Sequence, residues 1–529
     1  MSGAGTASYD DLVALHREWR AFLHPAMRDG VSDYGPDAMR DRLERLPGWR
    51  RRLDAIDTTG WPTAEADDAL LMGAELAGYG FLLEVLRPWA RDPGFYATVF
   101  GEQSDVPAHE GQSAEPSVDL FAVRWPLSPE DDAALTAQLG RVPRLLEAAR
   151  ENLAGSDARD LWTHGAQTFL DQAEVLRALG AGTLVMRTLE GQVPAHLPDP
   201  SVDLAAAIAD AEAATRGFAA WITEEAEHRH GPSGVGKEAY DRWSRDVALS
   251  PYDWDAQVTL LQRELDRAVA SLRLEEARNA DLPALPSIED PEAYRRFAEQ
   301  RTATFLAFLV RHGFLPDEEP YRAAMVAQTS DYVPPAERDF FAHGTALDPL
   351  PLLSHATHWI ELTRLLREPH PSPIRRAEPV FNLFADRSEG WATALEEVFL
   401  HLGLYDDSPR VREIVWIQLA NRAARGLASL RVQANGIGLD EAGRFHASWT
   451  PRGWSDAADP LVGFEQLLYL RQPGYGTSYI LGKVQLDALL ALRSHRADER
   501  GTPFDLAATW ADVVAGGIVP PSLLLRELE

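Results

Sequence analysis

Apolar residues recur every three or four positions along most of the chain, the spacing that places them on one face of an α-helix. The segments that show this spacing most clearly are 37–57, 201–229, 254–279, 412–434 and 479–497. Few segments alternate between apolar and polar residues with the period of two that is typical of strands. Ala, Leu, Glu and Arg, which favour helices, are abundant. The pattern therefore predicts an all-α protein.

Proline- and glycine-rich stretches interrupt these segments and predict loops. The predicted loops cover residues 106–117, 230–236, 282–291 and 369–376. In the third loop, Ser287 precedes Asp290 by three residues, a spacing typical of a capping box that begins a helix.

The chain contains no long flexible linker that would require independent domains. We therefore expect a single large helical unit over residues 1–529. Within it we expect two helical lobes around a central cleft, at approximately 1–285 and 286–529.

Composition narrows the classes of function. The 529 residues are 45% hydrophobic and 25% charged, as in ordinary globular proteins, and the net charge of −30 disfavours nucleic acid or an anionic membrane as a partner. The sequence has no run of about 18 apolar residues, so no membrane span is expected. The first residues lack a basic start followed by an apolar block, so a cytoplasmic location is expected.

Cysteine is absent, which excludes disulfides, iron–sulfur clusters, thiol nucleophiles and cysteine-bound zinc. Any metal ion would have to be held by His, Asp and Glu side chains.

The stretch LPLLSHATHWIEL (350–362) carries the most suggestive chemistry. In a regular helix, His355, His358 and Glu361 would lie on one side, because they recur at three-residue steps. Two histidines on one helical side can chelate a metal ion. Partly buried histidines that form hydrogen bonds within a core give the same pattern, and the residues alone leave both interpretations open.

A second candidate lies in the predicted helix 387–405. Glu389 and Glu396 are seven residues apart and are expected on one face, where a carboxylate that faces His358 could complete a metal site or activate a water molecule. Glu397 and His401 are four apart, which is typical of a surface pair near the end of a helix.

Several segments, in this order, resemble a known bacterial family. They are FNLFADRSEGWATALEEVFLHLGLYDDSPRVREI (381–414), which includes Glu-Gly-Trp-Ala, RAAR (422–425), LYLRQPGYGTSYILG (468–482) and DVVAGGIVPPSLL (512–524). On these segments the chain resembles the bacterial "domain of unknown function 885" family, whose fold is similar to helical zinc carboxypeptidases of the carboxypeptidase Taq type. The resemblance implies a His-Glu-x-x-Pro-Gly-His motif, with zinc held by its two histidines and by the glutamate of Glu-Gly-Trp-Ala. The glutamate beside the first histidine would be the general base.

This sequence departs from the family pattern at the chemistry. By the resemblance, His358 matches the last histidine of the motif and Glu389 matches the later glutamate. The first histidine and the general base are replaced by Leu352 and Leu353, and the Pro-Gly pair is replaced by residues 356–357. Leucine neither binds zinc nor accepts a proton, so we do not expect the peptidase mechanism of the family to operate here unchanged.

The first hypothesis is therefore a metal-independent protein with no cofactor, either a binding protein or a repurposed enzyme. Its cleft would bind a small carboxylate-bearing or peptide-like ligand, since arginine and tyrosine side chains suit such groups. The residues expected to contact the ligand are Arg422, Arg425, Tyr469, Tyr475 and Tyr479. Tyr479, His358 and Glu389 are the candidates for catalysis.

Two alternatives remain. If loss of the Pro-Gly pair makes the helix regular, His355 could replace the missing ligand, and His355, His358 and Glu389 would bind zinc in a hydrolase with a rearranged site. The other alternative is a non-catalytic interaction protein. The sequence predicts no oligomeric state.

Overall fold

A computed structural model describes residues 8–104, 111–189, 191–382 and 384–529. Helices account for 66% of the structure and strands for 4%, which confirms the all-α prediction. The contacts within the chain form two compact units, with the described residues 8–104 and 111–235 in the first and 236–529 in the second.

The first unit consists of nine described α-helices and three short two-stranded pairings. Its α-helices are α1 Tyr9–Leu23, α2 Pro36–Asp54, α3 Thr63–Phe81, α4 Pro88–Arg91, α5 Pro129–Leu139, α6 Val142–Leu153, α7 Arg159–Thr163, α8 Gly165–Gly180 and α9 Val202–Ala226. Its strands are β1 Met27–Arg28, β2 Val31–Ser32, β3 Val99–Phe100, β4 Val118–Asp119, β5 Val185–Thr188 and β6 Gly191–Pro194, which pair β1 with β2, β3 with β4 and β5 with β6. A π-helix covers Leu82–Leu86, and 3₁₀ turns cover Pro93–Tyr96 and Leu120–Ala122.

The described residues of the second unit form helices joined by loops, with no strand among them. Its α-helices are α10 Lys237–Asp246, α11 Trp254–Arg278, α12 Pro291–Arg311, α13 Glu319–Val326, α14 Phe340–Thr345, α15 Leu350–His355, α16 Thr357–Arg367, α17 Trp391–His401, α18 Val411–Gln433, α19 Leu439–Trp449, α20 Pro460–Arg471, α21 Tyr475–Arg500, α22 Leu506–Ala515 and α23 Pro521–Leu528. A π-helix covers Asp386–Gly390, and 3₁₀ turns cover Pro335–Glu337 and Pro451–Gly453.

The five segments with the clearest periodicity all form helices, namely α2, α9, α11, α18 and α21. Among the predicted loops, 106–117 lies partly outside the described residues. Loop 282–291 precedes α12, but the capping residue is Asp290, whose side chain accepts a hydrogen bond from the backbone N–H of Ala293. The predicted cap at Ser287 is wrong, because the Ser287 hydroxyl accepts a hydrogen bond from Arg338 instead.

Helix α18 forms the centre of the second unit. Nearly every side chain along it is buried, and α11, α19, α20 and α21 pack around it. The sequence suggested a boundary near residue 285, but the second unit begins at residue 236. It includes α11 because this helix packs along α18. The expectation of two lobes around a cleft stays a prediction.

One segment of the first unit, Thr63–Arg91, is long and apolar enough to cross a membrane by length and composition alone. Half of its most apolar window is buried inside the protein, and the helix carries the buried carboxylates of Asp67, Asp68 and Glu75. These features are typical of a core helix.

Candidate metal centre

The motif stretch bends between its two histidines. Helix α15 ends at His355, α16 begins at Thr357, and Ala356 between them has a ψ of 10°. The regular helix that the alternative hypothesis required does not form, and the chain bends here although residues 356–357 are Ala-Thr. Two tighter hydrogen bonds explain it: the Ala356 N–H also bonds to the Leu353 carbonyl at 3.1 Å, and the Trp359 N–H bonds to the Ala356 carbonyl at 3.1 Å.

Glu389 lies in the π-helix Asp386–Gly390, directly before α17. Helix α21 packs against this wide turn because Gly482 has no side chain: a Cβ atom there would collide with the Asp386 carbonyl and with Gly390. The close approach brings the start of α21, with Tyr475, next to Glu389.

The bend and the π-helix together bring His355, His358 and Glu389 into one cluster. One potential ligand atom from each side chain lies within 4.8 Å of the other two. His355 Nε2 is 3.2 Å from Glu389 Oε2. His358 and Glu389 are buried, with exposed fractions of 6% and 3%. The structure therefore brings the three residues of the alternative site together, although by a different local geometry from the one expected, and metal binding by them stays a prediction.

The Nδ1 atoms of both histidines face oxygen atoms. His358 Nδ1 lies 3.0 Å from the backbone carbonyl oxygen of His355, and His355 Nδ1 lies 3.0 Å from Glu396 Oε1. A proton on Nδ1 of each ring fits these contacts and leaves the Nε2 atoms as the candidate metal ligands. The hydrogen bond between His355 and Glu389 instead requires a proton on His355 Nε2, as in the metal-free protein.

Glu389 is held as an ionised carboxylate. Burial alone would raise its pKa, but the hydrogen bond from His355, the charge of His358 and the Tyr475 hydroxyl outweigh it and lower the pKa of Glu389 to about 2. The Tyr475 hydroxyl donates to Glu389 Oε1 at 2.7 Å. The group is thus charged at neutral pH, as a metal ligand must be.

The two arginines predicted to contact a ligand each pair with a buried carboxylate. Arg422 binds Glu396 through two contacts, at 2.8 Å from Nη1 to Oε2 and at 2.7 Å from Nη2 to Oε1. Arg425 pairs with Glu465, and its guanidinium carbon lies 4.3 Å from the ring centre of Tyr479.

The three tyrosines predicted to contact a ligand lie together beside the centre and are all buried. Tyr469 stacks on Tyr475 at 5.9 Å between ring centres, and Tyr479 stacks on His355 at 6.1 Å. Burial, together with the nearby Glu389 charge, raises the pKa of Tyr479 well above its ordinary value. Its hydroxyl therefore stays protonated.

Other sequence candidates lie outside the cluster. Glu361 pairs with Arg387 at 3.1 Å, so it does not join the two histidines. Glu397 lies 3.7 Å from the exposed imidazole of His401 but pairs more closely with Arg267 at 2.7 Å and with Lys483 at 3.1 Å. Leu353, at the position where the resemblance implies a general base, is buried.

Sequence reasoning placed Glu396 on the face of Glu389 but missed its contact with His355. The available signal was the seven-residue spacing of the two glutamates, which puts them two turns apart on one side of the chain. The side of the imidazole that each glutamate would contact could not be read from that spacing.

The fold has solved relatives of low sequence identity. A candidate lipoprotein of unknown function from Shewanella oneidensis superposes with a TM-score of 0.65 at 13% identity, over 99% of this chain and 100% of that one. A candidate lipoprotein from Colwellia psychrerythraea gives the same TM-score and identity, over 99% of both chains. At this identity the similarity concerns the fold alone.

Sequence comparison gives the family. No curated protein matches the chain. The family model described as "Bacterial protein of unknown function (DUF885)" matches residues 20–352, more than half of the chain. The chain therefore belongs to the DUF885 family of bacterial proteins.

Proposed function

We propose that this protein binds one divalent metal ion, best matched by zinc, through His355, His358 and Glu389, and that it is a hydrolase with a rearranged centre. The observation that carries the proposal is the convergence of two imidazole nitrogens and one carboxylate oxygen within 4.8 Å. Two histidines and a carboxylate are a common ligand set of catalytic zinc sites, which keep a further position for water or substrate.

The surroundings of the three residues fit a metal ion. Both Nδ1 atoms face oxygen acceptors, which directs the Nε2 atoms to the ligand role. Glu389 is ionised despite its burial, and Tyr475 fixes its second oxygen. A bound zinc ion would supply Lewis-acid activation of a carbonyl group and of water.

The remaining residues limit the chemistry. Leu353 offers no proton acceptor at the position where the family has its general base. Tyr479 remains protonated next to His355, so it can donate a hydrogen bond to a substrate oxygen but cannot act as a base. We therefore propose slow hydrolysis of a carboxylate-bearing or peptide-like substrate.

Elemental analysis of protein purified without chelator tests the proposal. We expect one zinc per chain, lost in H355A, H358A and E389Q, and retained in H401A, whose histidine is exposed and outside the cluster. Hydrolysis of a panel of short peptides and esters by the zinc-loaded protein then tests the activity. A wild-type protein that stays metal-free after dialysis against zinc would overturn the proposal.

A metal-independent binding protein is the second candidate. It is favoured by the direct contacts of Glu389, since His355 at 3.2 Å and the Tyr475 hydroxyl at 2.7 Å already satisfy its two oxygens. In this case, small carboxylates or peptides would raise the thermal midpoint in the presence of a chelator, and zinc would not.

The location of the protein also stays a proposal. The sequence analysis expects a cytoplasmic location, whereas the two solved relatives are described as candidate lipoproteins, which favours the cell envelope. Fractionation of cells that express the full natural gene distinguishes the two locations.

A further inference from the structure

We propose that Glu396, held by Arg422, is a positioning residue that orients His355 for metal binding. This inference rests on the proposed function, because it concerns the same three ligands. It assigns to Arg422 a role through Glu396, in place of the ligand contact predicted from the sequence.

The imidazole of His355 lies between two carboxylates. Its Nε2 atom is 3.2 Å from Glu389 Oε2, and its Nδ1 atom is 3.0 Å from Glu396 Oε1. The contact with Glu396 has the distance but not the angle of a hydrogen bond, so a small rotation of the ring would complete it. One carboxylate thus lies on the metal-binding side of the ring and the other on the opposite side.

Arg422 fixes the position of the second carboxylate. Its guanidinium lies against both oxygens of Glu396, with a hydrogen bond from Nη1 to Oε2 and an ion-pair contact from Nη2 to Oε1, and both side chains are at most 2% exposed. Such paired contacts fix orientation as well as charge. Oε1 of Glu396 therefore has two neighbours, Arg422 Nη2 at 2.7 Å and His355 Nδ1 at 3.0 Å.

This arrangement matches a general feature of metal sites. A metal-binding histidine usually presents its other ring nitrogen to a carboxylate or carbonyl group, which sets the tautomer and makes the ligand nitrogen more basic. His358 has such a partner in the backbone carbonyl of His355, and Glu396 is the corresponding partner of His355. Without Glu396, the His355 ring would lose the group that selects Nε2 as the ligand.

A buried carboxylate in the same helical region provides a matched control. Glu413 is 1% exposed and pairs with Arg410 at 3.0 Å and with Arg452 at 2.5 Å. It lies on α18 nine residues before Arg422, about 13 Å along the helix axis, and belongs to a separate network. Glu413→Gln removes a buried charge of the same kind without touching His355.

The experiment measures the zinc affinity of the full chain by competition with a chromophoric chelator. Glu396→Gln should weaken zinc binding about 10- to 100-fold at unchanged stoichiometry. Arg422→Lys should weaken it in the same direction by less, because a lysine keeps the charge but not the fork. Glu413→Gln should leave the affinity unchanged. The visible spectrum of the cobalt-loaded protein should change in E396Q and not in E413Q.

The outcomes separate this inference from the proposed function. If the wild type binds one zinc and E396Q binds it with the same affinity and the same cobalt spectrum, the positioning role is overturned while the metal centre stands. If the wild type binds no zinc, the proposed function itself fails.

If E396Q does not fold by circular dichroism, the double variant E396M/R422M replaces both buried charges, a change that buried ion pairs often tolerate. The same loss of affinity is expected there, and an unchanged affinity overturns the inference.

Discussion

Glu389 and Glu396, seven residues apart, contact opposite nitrogens of the same imidazole, that of His355. His355 is not among the histidines that the family resemblance implies as ligands. Its position at the end of α15, directly before the bend at Ala356, nevertheless brings it to Glu389, whereas Leu352 stands where the resemblance implies the first histidine. A neighbouring histidine thus lies beside Glu389, the residue that the resemblance implies as a ligand.

Zinc should stabilise the folded protein. Because the three ligands converge only in the folded chain, zinc at 100 times its dissociation constant should add about 2.7 kcal/mol to the free energy of unfolding. The thermal midpoint, measured by scanning calorimetry at increasing zinc concentration, should rise for the wild type and for H401A. It should stay constant for H355A. Equal shifts in all three proteins would place zinc binding elsewhere.

Helices such as α9 and α11 could be predicted from the sequence because each buries one continuous face and keeps the three-to-four-residue spacing of its apolar residues. The break at Ala356 could not be predicted. The break depends on backbone hydrogen bonds between residues i and i+3, and neither alanine nor threonine has a sequence preference that indicates such bonds.

The candidate site was predictable as a set of residue types but not as a network. Carboxylate–arginine pairs such as Glu396 with Arg422 join α17 to α18, and their 26-residue separation along the chain carries no local signal. For the same reason, Arg422 and Arg425 were expected to face a ligand, although each has a carboxylate partner within the core.

Tyr475→Phe should destabilise the protein by about 1–3 kcal/mol. The change removes the hydroxyl that donates to Glu389 Oε1 and leaves a buried, charged oxygen without that donor. Urea unfolding of the chelator-treated protein measures the loss. Tyr332→Phe is the matched control, since no hydroxyl partner of this half-buried tyrosine is found among the described residues. A loss of stability no greater than that of the control would show that the hydrogen bond contributes nothing.

Gly482→Ala should be strongly destabilising, by about 3 kcal/mol or more, or should prevent folding. A methyl group at this position collides with the Asp386 carbonyl and with Gly390, both of which are backbone and cannot turn away. Gly463→Ala is the control: a Cβ atom there meets nothing within 4 Å, and alanine favours a helix more than glycine does. The comparison uses thermal midpoints. Equal midpoints of G482A and wild type would contradict the close packing of α21 on the π-helix.

The stability of the protein should fall below about pH 6.5 because of His446. This histidine is 1% exposed; burial, with a contribution from the nearby Arg425 charge, lowers its pKa from 6.5 to about 3. Its Nε2 lies 2.8 Å from the Asn421 amide nitrogen and so accepts a hydrogen bond as the neutral ring, while Glu465 is 3.9 Å from Nδ1. As the pH falls, the unfolded chain takes up a proton at this position that the folded protein does not, so the folded state loses stability between about pH 6.5 and pH 3. Between pH 6.5 and pH 5 the loss of unfolding free energy from this one group is about 2 kcal/mol.

Urea unfolding at pH 6.5 and at pH 5 should therefore give a smaller difference in unfolding free energy for His446→Gln than for the wild type, whatever the absolute stability of the variant. His401→Gln, which replaces an exposed histidine, should keep the wild-type difference. If H446Q and the wild type lose equal stability over this range, the ring is not held neutral in the folded protein.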